Sequence, residues 1–574
     1  MPRANEQVEA LLQEYADLMA ISGGDAFRVR TYEKAARSVG GYHADVATLD
    51  RDGLMKIPNV GHSTADKILE YLRTGGVEAI EKLREQIPAG VRELISIPTL
   101  GPKKAMVLHQ DLGIASVEQL ADAIHSGMLD GVKGFGPKTV ENILHGIEVM
   151  QSAGGRVQLG VATDLAEEIV AELASIRVCA KCTYAGSLRR MAETVGDIDI
   201  RVASDEPGPV MEAVRTLSYV QDVIGSGETK TSIRTTKGLQ VDVRVIPPNV
   251  WGAALQYFTG SKSHNIKVRE RAVRRKLKLS EYGLFHAETD ELIVSETEEE
   301  VYERLGLPWI PPPLREDRGE VEAAIRGELP TLVDRNDIRG DLHTHTDLTD
   351  GLATLEQMLE TAATLKYAYY AVTDHAPNLY MQRMTDDKML AQRAKLSRLQ
   401  SKYPKMTLLH GTELNIDADG GVDWDADFLA GFDVCVASVH SLSNQSKDEM
   451  TRRIVRACEN PHVNIIGHPT GRQIGGRPPV EFDLDEVFAA AARTGTALEI
   501  NAFPDRLDLR DELIMWARRH GCVFAVDTDS HSTVHLPFMR FGVGTAQRGW
   551  LSKAEVINAW PLAKLRRFLQ KGRR

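Results

Sequence analysis

From residue 337 onward the chain repeats one unit, and that repeat limits the fold more than any other feature. Strand-like apolar runs precede His343, Asp374, Glu413, His440, His468, Asn501 and Asp527. The gaps read as helices, for example at 354–365, 385–401, 447–459 and 510–519. Parallel strands need helical crossovers, so seven such units predict an α/β barrel of the (β/α)7 type. The loops after the strands of such a barrel share one face, and that face carries the chemistry.

That face is rich in ligating side chains. Ten of the 17 histidines lie after residue 337. Six of them (His343, His345, His375, His440, His468 and His531) sit just beyond strand-like runs, with Asp350, Glu413 and Asp529 in similar positions. His343-x-His345 and Asp529-x-His531 each project two ligands from one strand end. Mixed imidazole and carboxylate ligands suit Zn²⁺, Mn²⁺ or Fe²⁺. Nine ligands are too many for one ion, so the pattern predicts two or three. Such a cluster suggests hydrolysis of a phosphoester by a metal-activated hydroxide. Purely structural histidines would not gather at one end of a barrel.

The first 150 residues read as short helices with polar turns, and they carry an internal repeat. IPNVGHSTADKI spans 57–68, IPTLGPKKAMVL spans 97–108 and VKGFGPKTVENI spans 132–143. In each, Gly61, Gly101 or Gly136 allows a close turn. The next helix then starts with free N–H groups, a site for phosphate. Such a site grips a nucleic-acid backbone without reading bases. This helix-hairpin-helix pattern predicts DNA binding. Packed helical hairpins are the alternative; a solenoid fits less well, because the spacing is irregular. The net charge of −12 does not exclude a DNA partner. Lys262 to Lys278 holds eight basic residues and one acid, and local field rather than total charge steers a ligand.

Between these regions, GSLRRMAETVGDIDI spans 186–200. Asp197 and Asp199 lie two apart, so on a strand they share one face. Asp242, in LQVDVRVI, sits in an apolar run where a lone carboxylate needs a partner or a metal. The three together suit two Mg²⁺ ions and in-line phosphoryl transfer. Gly186 and Ser187 end a preceding strand and suit a triphosphate, with Arg190 adding charge.

These residues resemble family X DNA polymerases, the group of DNA polymerase beta, over 1–315. The resemblance rests on Gly-Ser…Asp-x-Asp and on YFTGS at 257–261, which includes Gly260. It implies Mg²⁺ or Mn²⁺ at the three carboxylates, with Asp242 helping to activate the primer 3′-OH. It implies triphosphate contacts from Ser187 and Arg190, and a sugar pocket lined by Tyr257 and Phe258. Asn265 is expected near the nucleotide's minor-groove edge and Arg269 near the template. The basic run 262–278, with Lys262 and Lys267, is expected on one helix facing DNA. Gln240 departs from the pattern, standing where the beta-type enzyme has an Arg. Lys67 falls at the Schiff-base position of the family's lyase domain and Tyr32 is kept. However, Phe27, Ser63 and Ala79 replace expected phosphate ligands, and only Arg28 keeps a charge. A lyase lysine needs a neutral amine; otherwise Lys67 is a plain phosphate contact.

DLHTHTDLTDG, TDH, GTELN, SVH, GHP and DTDSH resemble the polymerase-and-histidinol-phosphatase (PHP) domain, with all nine metal positions filled. The resemblance implies one ion at His343, His345, Glu413 and Asp529. It implies a second at Glu413, His440 and His468, and a third at Asp350, His375 and His531.

The expected organisation follows. Residues 1–90 are a helical lyase-like domain, 91–155 a helical DNA-binding subdomain and 156–250 an α+β nucleotidyltransferase palm. Residues 251–315 form a nucleotide- and template-binding subdomain. A proline-rich, charged boundary at 308–320 leads into a linker at 316–336, and 337–574 is the barrel. No run approaches the ~18 apolar residues that span a bilayer, and the N-terminus has no secretory h-region. Five cysteines fit a reducing cytoplasm; Cys179 and Cys182, a lone C-x-x-C, read as plain strand residues. The expected protein is a cytoplasmic, nucleoid-associated monomer without a membrane partner. It would fill gapped or nicked DNA from deoxynucleoside triphosphates in base-excision-type repair. Its barrel would act as a 3′–5′ exonuclease. The runner-up is a DNA-end-binding phosphoesterase with weak polymerase activity. A small-molecule phosphatase is a further alternative, disfavoured by the glycine repeats.

Overall fold

The computed structural model describes residues 4–571, apart from 43, 88, 96, 98, 99, 130, 137, 138, 141, 142, 145, 146, 148–155, 380 and 381. The N-terminal region is helical. Ala4–Ile21 and Ala26–Gly40 pack as a hairpin, and Asp25 caps the second by accepting from the Phe27 N–H. Gly61 and Gly101 are the N-caps of His62–Thr74 and Pro102–Leu112. Their φ values, −93° and −72°, are open to any residue, so a left-handed turn is not what requires glycine. A side chain at Gly61, Gly101 or Gly136 would meet nothing within 4 Å among the described residues. These glycines keep an outward face bare instead. Part of the third repeat (137, 138, 141 and 142), and the boundary placed at 155, lie outside the described residues.

The palm is a five-stranded sheet in the order β2-β4-β7-β6-β5. Its strands are β2 (Lys181–Tyr184), β4 (Asp197–Ala203), β5 (Val220–Ser226), β6 (Lys230–Thr235) and β7 (Gln240–Ile246). The two-residue strands β1 (Val157–Gln158) and β3 (Thr194–Val195) pair beside it. One sheet face buries Ile198, Ile200, Val241 and Val243 against the helices Leu159–Ala174 and Pro207–Thr216. The alternate positions, including Asp197 and Asp199, face away from that core.

The next region pairs the helices Trp251–Thr259 and Lys262–Arg274 with a three-stranded sheet, β8 (Leu277–Ser280), β9 (Gly283–His286) and β10 (Leu292–Val294). The basic run is therefore not one helix. It stops at Arg274, turns through Lys276 at φ +59°, and continues as β8. Strand pairing with β9 outweighs the helical pattern there. The proline-rich stretch is also not a free tether. Ile310, Pro312, Pro313 and Leu314 are buried. Arg315, fully buried, donates to Glu298 Oε1 at 2.7 Å. Glu320 lies 2.6 Å from His264 Nδ1 and starts a helix, Glu320–Arg326. Three of the charges that suggested a solvated linker, Arg315, Glu316 and Glu320, have buried partners in Glu298, Arg548 and His264.

Seven parallel strands form the C-terminal barrel: β11 (Gly340–Asp341), β12 (Tyr369–Val372), β13 (Thr407–Asn415), β14 (Val434–Ser438), β15 (Ile465–Ile466), β16 (Ala497–Asn501) and β17 (Phe524–Asp527). The first and last runs meet through Thr344 and Ser530, which nearly closes the ring. The expected helices appear at Leu355–Thr364, Asp386–Leu399, Lys447–Glu459 and Asp511–Arg519. Some details differ: Glu413 lies within β13, and Asn501 and Asp527 are the last residues of β16 and β17, rather than beyond those strands. The barrel packs directly on the palm. Leu507 and Phe541 enter the palm core, and Arg472 reaches Glu193 at 2.7 Å. The N-terminal domain also touches the barrel, where Ser532 donates to the Gly41 carbonyl.

Candidate functional site

The first site is built by strand register. β4 and β7 run parallel, with Asp199 paired to Asp242 and Asp197 to Gln240. Register neighbours share a face, so the three carboxylates gather at one end of the sheet. Burial, then the charges of Asp199 and Asp242, push the Asp197 carboxyl above its usual range. For Asp242, burial is outweighed by hydrogen bonds from Lys230, Gln240 and Ser232, which hold its carboxyl low. Gln240 Nε2 lies 2.9 Å from Asp242 and Lys230 Nζ 2.7 Å. Lys230 supplies the charge that Gln240 lacks. Sequence reading missed it, although its alternation with Ser232 on β6 carries the signal. Three carboxylates crowded on one partly buried face form a donor set suited to divalent cations.

Gly186 opens the short helix Gly186–Arg189 at φ +61°, and a Cβ there would lie 2.7 Å from Asp199 Oδ2. The turn thus abuts Asp199, and the next residue, Ser187, is half-buried. Arg190 donates to the Thr259 carbonyl at 2.6 Å and to Glu316 at 2.9 Å. Tyr257 and Phe258 meet edge to face, with centroids 5.1 Å apart. Arg269 stands over Tyr257 at 5.6 Å. Arg201, unforeseen, donates to Asp199 at 2.8 Å and stacks on Phe258 at 3.9 Å. Asn265 is buried; its side chain donates to the Tyr257 carbonyl at 2.7 Å and accepts from Gln256 at 2.9 Å. Gly260 sits at φ +67° above Arg190. Lys262 is exposed, whereas Lys267 pairs with Glu322 at 3.1 Å, which offsets its charge.

Lys67 lies apart from both sites. Its Nζ donates to Ser63 Oγ at 3.0 Å and stands 5.4 and 5.6 Å from the Tyr15 and Tyr32 rings. Ser63, expected only as a lost phosphate ligand, instead bridges Lys67 and Tyr32. Phe27 is 77% exposed. Cys182 lies on β2, its thiol pushed up to about 12 by burial, while Cys179 precedes the strand.

The second site gathers all nine expected residues at the barrel mouth. Glu413 is central. It lies 2.9 Å from His375, 3.1 Å from His440 and His468, and 3.5 Å from His343 and His345. Three groups could each hold an ion: His345, Asp350, His375 and His531; His343, His345 and Asp529; His375, Glu413 and His440. His345 and His375 each belong to two groups, so the division is less clean than the expected partition. His343 Nε2, both ring nitrogens of His345, and His375 Nδ1 are buried without an aligned hydrogen bond among the described residues, although carboxylate oxygens lie 2.9 to 3.9 Å from them. Orphaned ring nitrogens converging on carboxylates fit bound cations.

The opposite ring edges are anchored, as ligand histidines usually are. His343 Nδ1 meets Glu499 at 2.6 Å and His440 Nδ1 meets Asn415 at 2.7 Å. Burial alone would raise the carboxyls of Glu413 and Asp529, but the surrounding imidazoles outweigh it and hold both far below the usual range. Sequence reading missed Glu499; a carboxylate inside the apolar run ALEIN was its signal. It also missed Arg506, whose Nε lies 3.9 Å from Asp529.

Comparison with known proteins agrees with both halves. Residues 254–316 match the DNA polymerase beta thumb, and 341–502 match the PHP domain. Residues 3–77 match a helix-hairpin-helix domain and 91–148 a SAM-like helix-hairpin-helix tandem. The chain is 36% identical over 564 residues to the DNA polymerase/3′-5′ exonuclease PolX of Bacillus subtilis (strain 168), covering 98% of each chain. It is 24% identical to DNA polymerase lambda of Rattus norvegicus over 322 residues, 51% of this chain and 53% of that one. A probable phosphatase of Acetivibrio thermocellus is 29% identical over 201 residues, 33% of this chain and 78% of that one. With a polymerase-type palm and thumb, helix-hairpin-helix modules and a histidine-lined barrel in one chain that matches PolX nearly end to end, the protein belongs to the bacterial PolX family of family X DNA polymerases bearing a PHP domain.

Proposed function

We propose that this chain is a DNA-directed DNA polymerase that fills short gaps in base-excision-type repair, and that its barrel is a metal-dependent 3′–5′ exonuclease. The observation that carries the reading is the register that sets Asp199 opposite Asp242 with Asp197 alongside. These residues would hold two Mg²⁺ or Mn²⁺ ions, which supply charge neutralisation in phosphoryl transfer. Gly186, Ser187 and Arg190 take the triphosphate. Tyr257, Phe258, Gly260, Asn265 and Arg269 frame the nucleotide and template. The nine barrel ligands hold two or three Mn²⁺, Zn²⁺ or Fe²⁺ ions, and Arg506 offers a cation to the scissile phosphate. Residues 1–155 grip DNA, 156–250 act as palm, 251–315 as the nucleotide subdomain, and 337–574 as exonuclease. The protein acts as a monomer on nucleoid DNA in the cytoplasm. No described helix is long and apolar enough to cross a membrane. Primer extension across a one-nucleotide gap, with Mg²⁺ and Mn²⁺ compared, tests the polymerase reading. No addition with either metal rejects it.

DNA binding is expected to depend steeply on salt despite the acidic total charge. The exposed cations near Lys262 neutralise several phosphates, while the bare faces at Gly61, Gly101 and Gly136 let the backbone approach the DNA without adding charge. Each phosphate neutralised contributes about −0.9 to the slope of log K against log salt. A gel-shift series with a flat salt response removes the electrostatic part of this account.

Lys67 is expected to form a Schiff base with a 5′-deoxyribose phosphate, slowly and with a high apparent KM. Its partners Ser63, Tyr15 and Tyr32 hold the amine in place, but the anionic end of the substrate finds few cations. Borohydride trapping on such DNA reads it out. Loss of the adduct in Lys67→Ala supports the assignment, and absence of any adduct in wild type leaves Lys67 a DNA contact.

A further inference from the structure

A chain of charged groups runs from the polymerase site into the barrel. Arg190 follows the Gly186-Ser187 turn. Its Nε donates to Glu316 Oε1 at 2.9 Å. The same oxygen accepts from Nη1 of Arg548, at the end of the barrel helix Met539–Arg548, at 2.7 Å. That Nη1 also donates to the Arg190 backbone carbonyl at 2.8 Å. The other edge of Arg548 grips Asp511, with Nε and Nη2 each at 2.8 Å. Asp511 accepts in turn from Arg318 at 3.0 Å. The side chains of Arg190, Glu316, Asp511 and Arg548 are only 14%, 17%, 13% and 9% exposed, so these contacts are shielded from solvent.

The arrangement does two things to Arg190. A long guanidinium side chain loses rotamer freedom when it binds an anion. Here Thr259 and Glu316 hold two of its nitrogens beforehand, and Arg548 fixes Glu316 and the Arg190 backbone together. Charge is the second effect. Glu316 alone would neutralise Arg190 and compete with an incoming anion. Shared with Arg548, and with Asp511 and Arg318 included, three arginines and two acids leave the chain at +1; Glu512, which also meets Arg318 at 3.5 Å, is itself paired with Arg510 at 3.1 Å, so its inclusion does not change the sum. Arg548 therefore keeps Arg190 both oriented and net cationic.

We propose that Arg548, a residue of the barrel, is a positioning residue for triphosphate binding at the polymerase site, acting through Glu316 on Arg190. This rests on the reading of Arg190 as a triphosphate contact. It also gives the barrel a part in nucleotide addition separate from its own metal cluster, because Arg548 belongs to none of the three ligand groups.

The test uses the full-length enzyme on one-nucleotide-gapped DNA. Arg548→Ala is expected to raise the KM for the incoming dNTP about tenfold. The inhibition constant for inorganic triphosphate should rise in parallel. The kcat, the Kd for gapped DNA and 3′ degradation should stay within about twofold. Arg548→Lys keeps the charge but not the fork, so its KM should fall between. In an Arg190→Ala background, Arg548→Ala should add nothing further, since members of one chain are not additive. An unchanged KM in folded Arg548→Ala, with a raised KM in Arg190→Ala, overturns the coupling. Equal losses in KM, DNA binding and degradation overturn it too, because a purely structural joint gives that result. If Arg190→Ala itself leaves KM unchanged, the assignment of the triphosphate site fails instead. Should Arg548→Ala not fold, Arg548→Lys and Arg548→Gln decide by the same criteria.

Discussion

Replacing Asp197 and Asp199 together by alanine abolishes nucleotide addition and leaves 3′ degradation intact. Both side chains lie on the sheet face turned from the core, so little apolar packing is lost. Burial, and then crowding against Asp199 and Asp242, already disfavours the charged form of Asp197, so removing two carboxylates relieves repulsion. Arg201 loses its partner Asp199 but keeps the Ile200 carbonyl at 2.8 Å and its stack on Phe258. What disappears is the donor set for the cations. Metal charge stabilisation supplies several kcal/mol to phosphoryl transfer, so addition should fall by about 10³-fold or more. Degradation continues because the two ligand sets share no residue. Gap filling and 3′ trimming on one preparation, with a melting curve as folding control, give the answer. Loss of both activities in a folded mutant refutes two independent centres.

The reciprocal change, His343→Ala with His345→Ala, removes degradation and preserves addition. These two imidazoles supply ligands to two of the three barrel groups, with His345 common to both. Their loss would leave two of the three groups unable to hold a cation, and the metal-assisted hydrolysis such ions would supply is worth orders of magnitude. The single variants should separate in stability, though not in activity. His343 Nδ1 sits 2.6 Å from fully buried Glu499. Truncating it leaves that carboxylate without the imidazole, at a cost of about 3 kcal/mol. His345 Nε2 lies 3.1 Å from Asp529, but that carboxylate keeps Asn501 at 3.1 Å and Arg506 at 3.9 Å when the imidazole is removed, so His345→Ala should melt closer to wild type. Both singles should lose exonuclease activity. A melting temperature lowered more by His345→Ala than by His343→Ala contradicts the role given to Glu499. Loss of gap filling in the folded double variant contradicts separability.

Much of the site was legible because it is written in local spacing. The histidines stand where strand-like runs end, and Asp197 and Asp199 are two apart on a strand. The errors have equally definite causes. The glycines of the repeats looked like turn glycines, yet Gly61 and Gly101 have ordinary φ and face open space. The stretch at 308–320 has the composition of a linker. Its Arg315 and the neighbouring Glu320 are nevertheless fully buried, because Glu298 and His264 lie opposite them. The basic run continued a helical pattern past Arg274, where pairing with β9 took over. For the linker and the basic run, the residue types were read correctly and their partners were out of view.

Periodicity is a property of neighbours along the chain, so the sequence by itself determined the βα alternation, the face shared by Asp197 and Asp199, and the crowding of ligands at one barrel end. Pairing is a property of residues far apart, with no spacing to announce it. Only the tertiary structure set Asp242 opposite Asp199, placed Lys230 where Gln240 lacks a charge, and brought Glu499 behind His343. It alone showed that the barrel sinks Leu507 and Phe541 into the palm and extends Arg548 toward Arg190. Apolar and charged groups separated by hundreds of residues find one another through burial and complementarity, and those forces act in space, not along the chain.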